Sequence, residues 1–143
     1  MLTQSTVTRA QKSNHKPFDV SGFTPEYVYG NWWRLHMTTP ITCSGSSVSL
    51  DTLFPFRHRL IDARFRHLTS TGADSSAALD LDFGYLRGAT YNSELKFSQT
   101  KKSDIFIDYS GMDKYFPQTI YRITQNSTNL TRLAVTLKVE TLE

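Results

Sequence analysis

The chain has 143 residues, of which 38% are hydrophobic, 20% charged and 13% aromatic, and its formal net charge is +3. That length can bury one core without disulfides or metals, and the aromatic content excludes a disordered chain. The charge is too small to single out a nucleic-acid partner, and the lone cysteine, Cys43, excludes an internal disulfide.

Residues 1 to about 25 are Thr, Ser, Gln, Asn and Lys/Arg, with scarcely any large apolar side chain before Phe18. Arg9, Lys12 and Lys16 are the charged residues of the first 18, and none is acidic. A segment of this composition cannot bury itself, so the expectation is an extended basic arm over 1–25, ordered only against a partner. It also holds no apolar run of signal-peptide length. Nor does any later stretch approach a membrane span, so the expectation is synthesis in a cytoplasm and no membrane partner.

Gly22 and Pro25 close the arm, and EYVYGNWWRLHM follows as two alternating runs broken by Gly30-Asn31, a tight turn or bulge. Side chains alternate along a strand, so Trp32 and Trp33 point to opposite faces and one of them is expected outside as a contact residue. Pro40 to Leu53 reads as a short strand, a Ser-Gly-Ser-Ser turn and another strand. Pro55 then bends the chain into its most regular stretch, Leu60 to Phe83. There Ile61, Ala63 and Phe65 alternate with Asp62, Arg64 and Arg66, and after a Thr/Ser/Gly/Asp loop Leu79, Leu81 and Phe83 alternate with Asp80 and Asp82. The expectation is a strand, a turn and a strand, each strand with an apolar and a wet face. Arg64 and Arg66 could face Asp80 and Asp82 as cross-strand ion pairs worth at most roughly 1 kcal/mol each, and the favoured reading of the four charges is that they solvate an exposed face.

Beyond Gly84, the residues Gly88 and Asn92 are turn signals, Leu95 and Phe97 a brief strand, and SDIFIDY a strand with Phe106 on its wet face. SGMDKYFPQT is expected to form one helical turn ended by Pro117. TIYRIT, a turn in QNSTN and LTRLAVTLKVETL close the chain, with Leu133, Val135, Leu137 and Val139 alternating in a strand central to the core. Asn126 and Asn129 match the glycosylation pattern and are read as turn residues. Seven to nine strands joined by polar turns predict an all-β fold, an antiparallel β-sandwich or jelly roll over 26–143.

No stretch spells out a chemistry. His15, His36, His58 and His67 lack zinc-site spacing, and the acidic residues form no calcium loop. Cys43 lacks the surroundings of an activated thiol, and no GxSxG, HExxH or Gly-rich phosphate loop occurs. The reading is therefore a non-enzymatic protein with no cofactor. An aromatic face with Asn31 and Arg34 near an exposed Trp would also suit a sugar ring, whereas Asp62, Asp80 and Asp82 spoil FRHRL and RFRH as a nucleic-acid surface.

The strand LIDARFRHL leading through a Ser/Gly/Asp turn to LDLDFG, the strand DIFIDY and the closing hairpin TIYRITQNSTNLTRLAVTLKVETL together resemble small β-sandwich structural proteins of tailed bacteriophage virions, especially those that decorate or cement the capsid. The likeness spans about residues 47 to 143. It implies a virion protein made in the host cytoplasm, contacting the major capsid protein or other virion proteins and assembling as a dimer or trimer. Contacts would then run through Arg9, Lys12 and Lys16 in the arm and through Trp32 as apolar anchor. Tail, neck and fibre components with receptor- or carbohydrate-binding sandwiches share the pattern.

Overall fold

A computed structural model describes residues 19–142. Among them eleven strands form two antiparallel sheets: β1 (Phe23–Tyr29), β2 (Trp32–Met37), β3 (Ile41–Cys43), β4 (Val48–Phe54), β5 (His58–Thr69), β6 (Leu79–Arg87), β7 (Thr90–Thr100), β8 (Asp104–Asp108), β9 (Tyr115–Phe116), β10 (Thr119–Ser127) and β11 (Thr131–Thr141). Sheet A runs β1-β2-β11-β5-β8, with β3 also on β11 and β9 also on β5; sheet B runs β4-β10-β6-β7. The protein is an all-β antiparallel sandwich. It has more strands than the turn signals alone mark, because β3 and β9 are only three and two residues long.

Alternation dictates the core. Leu133, Val135, Leu137 and Val139 of β11 are buried, and β11 lies between β2 and β5 at the centre of sheet A. Facing them from sheet B are Phe54, Leu79, Leu81, Phe83, Tyr121 and Ile123. Tyr121 is the hub of an aromatic cluster with Phe54, Phe83, Phe116 and His58, its ring 4.8–5.7 Å from each. The phenol contacts His58 Nε2 at 2.6 Å, and His58 Nδ1 is 2.9 Å from the carbonyl of Phe56. A carbonyl only accepts, so Nδ1 carries the proton and Nε2 accepts from Tyr121. Burial lowers the His58 pKa to about 4, which keeps this arrangement neutral.

Four expectations are corrected. The strands flanking the loop 70–78 do not pair: β5 belongs to sheet A and β6 to sheet B. Two-residue alternation fixes which face is apolar but not which strand is the neighbour, and this loop crosses between layers that in a sandwich stand about 10 Å apart. Arg64 therefore meets Asp104 and Arg66 meets Asp74, while Asp80 bonds Gln99 and Asp82 accepts from Tyr91 and Ser93. The segment expected as a helical turn is a single hydrogen-bonded turn at Ser110-Gly111, where Met112 N–H donates to the Tyr109 carbonyl at 2.9 Å, followed by β9, because Phe116 is drawn into the aromatic cluster as part of a strand on β5. The brief strand at Leu95 and Phe97 is an eleven-residue one, with Asn92 inside it. Asn126 likewise lies within β10, whereas Asn129 is in the turn that follows.

The structure also places ordered packing earlier than residue 26. Val20 and Phe23 are buried, and β1 begins at Phe23, two residues ahead of Pro25. Gly30 takes φ 57°, which lets the two-residue turn Gly30-Asn31 close the β1-β2 hairpin. The Asn31 carbonyl then accepts from the Thr141 backbone N–H at 2.9 Å, pinning that turn to the end of β11.

Candidate functional site

The outer face of sheet A is built by strand register. Tyr29 pairs with Trp32, Trp32 with Glu140, Glu140 with Arg59 and Arg59 with Tyr115, so one transverse row draws a residue from each of β1, β2, β11, β5 and β9. At a strand spacing of about 4.8 Å the row is roughly 19 Å long. It exists because of a bulge in β5. The register shifts between Lys138 and Val139, leaving Ile61 as an extra residue. Without it Arg59 would point to the same face as Ala63 and Phe65, into the core.

Within the row the groups are in contact. The Tyr29 and Trp32 rings lie 4.9 Å apart, and the Arg59 guanidinium carbon is 5.7 Å from the Trp32 ring and 6.0 Å from the Tyr115 ring. Arg59 is fixed by Nε donating to Glu140 Oε1 at 2.9 Å and by a terminal nitrogen donating to the Ser110 carbonyl at 3.3 Å. Lys138 Nζ also lies 6.0 Å from the Trp32 ring. The Arg59 and Lys138 side chains are only 15% and 20% exposed, and each cation over a ring contributes on the order of 1 kcal/mol. Tyr29 and Tyr115, at 57% and 55% exposure, leave the two ends of the row open to a partner.

A polar groove of about 520 Å³ adjoins the row, lined by Arg34, His36, Asp62, Arg64, Phe106, Thr136 and Lys138. Its cations are engaged: Arg34 with Glu26 at 3.2 Å, Lys138 with Asp62 at 3.2 Å, and Arg64 with both oxygens of Asp104 at 3.0 and 2.9 Å. His36 Nε2 donates to Glu26 at 2.7 Å, and with Arg34 it holds that carboxyl below the ordinary carboxylate range. Hydrogen bonds from Arg64 lower Asp104 in the same way. Phe106 lies 5.6 Å from the Arg64 guanidinium and is half exposed.

Of the residues singled out from sequence, Trp32 is on this outer face, while Trp33 is partly buried against the core, as opposite parity requires. Arg34 lies in the groove and Asn31 in the adjacent turn. Arg9, Lys12 and Lys16 lie outside the described residues. Arg59, Glu140 and Tyr115 were missed by sequence reading. The signal available was the phase of His58 and Leu60, which only a bulge reconciles with Ala63 and Phe65. His58 and His67 are buried singly, the latter 2.7 Å from the Thr131 hydroxyl. Among the described residues no three His, Cys, Asp or Glu side chains group to hold a metal. Burial raises the Cys43 thiol above its ordinary range, so the thiolate is disfavoured there.

The fold and this face define a β-sandwich protein with an aromatic and guanidinium ladder across one sheet. No family model and no curated protein matches the sequence. Among solved structures the chain is similar to one described as "Family 16 Carbohydrate Binding Module-2", at 11% identity over 85% of this chain and 86% of that one, with a TM-score of 0.27. A likeness that slight bears on neither the site nor its ligand.

Proposed function

We propose that this chain is a non-enzymatic structural protein of a tailed-phage virion, of the kind that decorates the capsid, and that it attaches to the major capsid lattice through the outer face of sheet A. The observation that carries the docking surface is the Tyr29–Trp32–Glu140–Arg59–Tyr115 row. Trp, Tyr and Arg dominate the energetics of protein interfaces, and here Arg59 is already clamped between two rings, so little side-chain freedom remains to be lost on binding. The virion setting follows from the resemblance of residues 47 to 143 to decoration proteins. In this reading Arg9, Lys12 and Lys16 add attraction to an acidic capsid surface, which speeds encounter and is screened by salt.

A second reading has the chain as a tail, neck or fibre component that binds a carbohydrate receptor. The exposed rings of Tyr29 and Tyr115, flanked by Asn31, Glu140 and Ser110, favour it, since a sugar ring stacks on such a surface while its hydroxyls bond polar neighbours. Cosedimentation of the purified full-length protein with undecorated capsids, alongside a glycan array, separates the two. Saturable capsid binding that weakens with added salt supports decoration. Glycan binding without capsid binding overturns it in favour of the second reading.

A further inference from the structure

We propose that strand β4 is an assembly edge, along which a second copy of this chain pairs its own β4 antiparallel about Leu50, joining two four-stranded sheets into one of eight. This surface lies on sheet B and does not depend on the function proposed for sheet A.

Sheet edges present unpaired backbone groups, and folded proteins blunt them with proline, charge, bulges or shortness. The other edges of this sandwich are blunted. β1 carries Pro25 and a register shift between Tyr27 and Tyr29; β3 has three residues; β8 has five, with Asp104 and Asp108 at its ends. β7 carries Lys96 and two register shifts against β6. β4 has no proline and no register shift, and it is seven residues long. It pairs with β10 in unbroken register from Val48 to Phe54, and its one charge, Asp51, is neutralised by Arg122, whose Nε and terminal nitrogen donate at 2.8 and 3.0 Å.

The side chains along that edge are equally unprotected. Val48 and Leu50 share the inward face with buried Thr52 and Phe54, yet they are 44% and 37% exposed. They open onto a groove of about 440 Å³ whose far wall includes Phe23, Met37 and Ile41. Core-facing positions that none of the described residues covers, beside an edge that none of them pairs with, are what an added strand would fill.

The sequence of β4 is self-complementary in one register. With Leu50 opposite Leu50 of the second copy, Val48 faces Thr52 and Ser49 faces Asp51, so on the inner face Leu meets Leu and Val meets the Thr methyl side, and each carboxylate meets a hydroxyl. Shifting the centre to Asp51 sets two carboxylates directly opposite each other, which is unfavourable. A twofold axis through Leu50 closes the assembly at two copies.

The test is the association state of the full-length chain by sedimentation equilibrium, with wild type, Leu50→Lys, Leu50→Cys and Asp51→Cys. Wild type is expected to be a dimer, and Leu50→Lys to dissociate at least about tenfold more readily while keeping its circular dichroism spectrum. Under mild oxidation Leu50→Cys is expected to yield a covalent dimer, since directly opposed residues lie about 4.5–5.5 Å apart at Cα. Asp51→Cys, displaced diagonally from its own mate, is expected not to. If Leu50→Lys fails to fold, the two cysteine variants decide. A monomeric wild type, a dimer indifferent to Leu50→Lys, or equal cross-linking of both cysteine variants overturns the proposal. Loss of the dimer on deleting residues 1–18 while Leu50→Lys leaves it intact would overturn it too, and assign the contact to the N-terminal segment.

Discussion

Acidification should destabilise the fold through His58 well before the surface carboxylates titrate. The ring is buried, donates from Nδ1 to Phe56 and accepts from Tyr121 at Nε2, so a second proton would turn the Tyr121 phenol from donor to acceptor and leave a net charge in the buried aromatic cluster. Its folded pKa is about 4, against an ordinary 6.5. A histidine depressed in this way binds fewer protons folded than unfolded, so its contribution is intact above about pH 6.5 and is lost as pH falls toward about 4. Between pH 7 and about pH 5 the loss is about 2 kcal/mol, or roughly 8 °C in melting temperature for a domain of this size. His67, lowered by burial as well, adds in the same direction. Asp51, Asp104 and Asp108 are held below their ordinary 3.8, so their contribution is lost only lower on the pH scale. The assay is urea denaturation followed by Trp fluorescence at about pH 7 and about pH 5, for wild type and His58→Gln. The variant should be less stable at pH 7 yet lose distinctly less on acidification. An equal loss in both proteins would refute the assignment.

Val135→Asp places an unpaired charge at a 1% exposed position in the central strand, which costs several kcal/mol against a total of about 5–15, and should leave no cooperative melt in a thermal scan. Gly84→Ala sets a Cβ 2.2 Å from the Asn92 carbonyl and 2.7 Å from the Tyr91 ring, so β6 and β7 must separate; a loss of about 1–3 kcal/mol is expected, and an unchanged melting temperature would show that the two strands are not so close. The exposed Arg64–Asp104 pair should couple by less than about 1 kcal/mol in a double-mutant cycle, despite its two-pronged geometry, because both side chains remain about half in water.

Much of the sandwich was legible because burial imposes a two-residue period. The apolar set of β11 identified the central strand, and the adjacency of Trp32 and Trp33 required one of them to face outward. Pairing was less legible, since Arg64 beside Asp104 and Asp80 beside Gln99 depend on which sheet each strand joins, and alternation reads the same in either sheet. The row beside Trp32 was hidden for a related reason. Arg59, Glu140 and Tyr115 come from three strands spread over more than eighty residues of sequence, as the separation of 81 between Arg59 and Glu140 illustrates, and only register brings them together. The bulge at Ile61, which turns Arg59 outward, leaves no composition signal. Tyr115, with a proline two residues on, has a local sequence as suited to a turn as to a strand.

Binding by a Trp32→Ala/Tyr115→Ala double variant tests the sheet A surface most directly, measured by cosedimentation with undecorated capsids against the wild-type protein. Both rings stand on the outer face and neither belongs to the buried core, so the variant should melt cooperatively. Interface residues of this kind cost about 2 kcal/mol or more each when truncated, and capsid binding should fall by at least about a hundredfold. Wild-type affinity in the folded double variant would contradict the account.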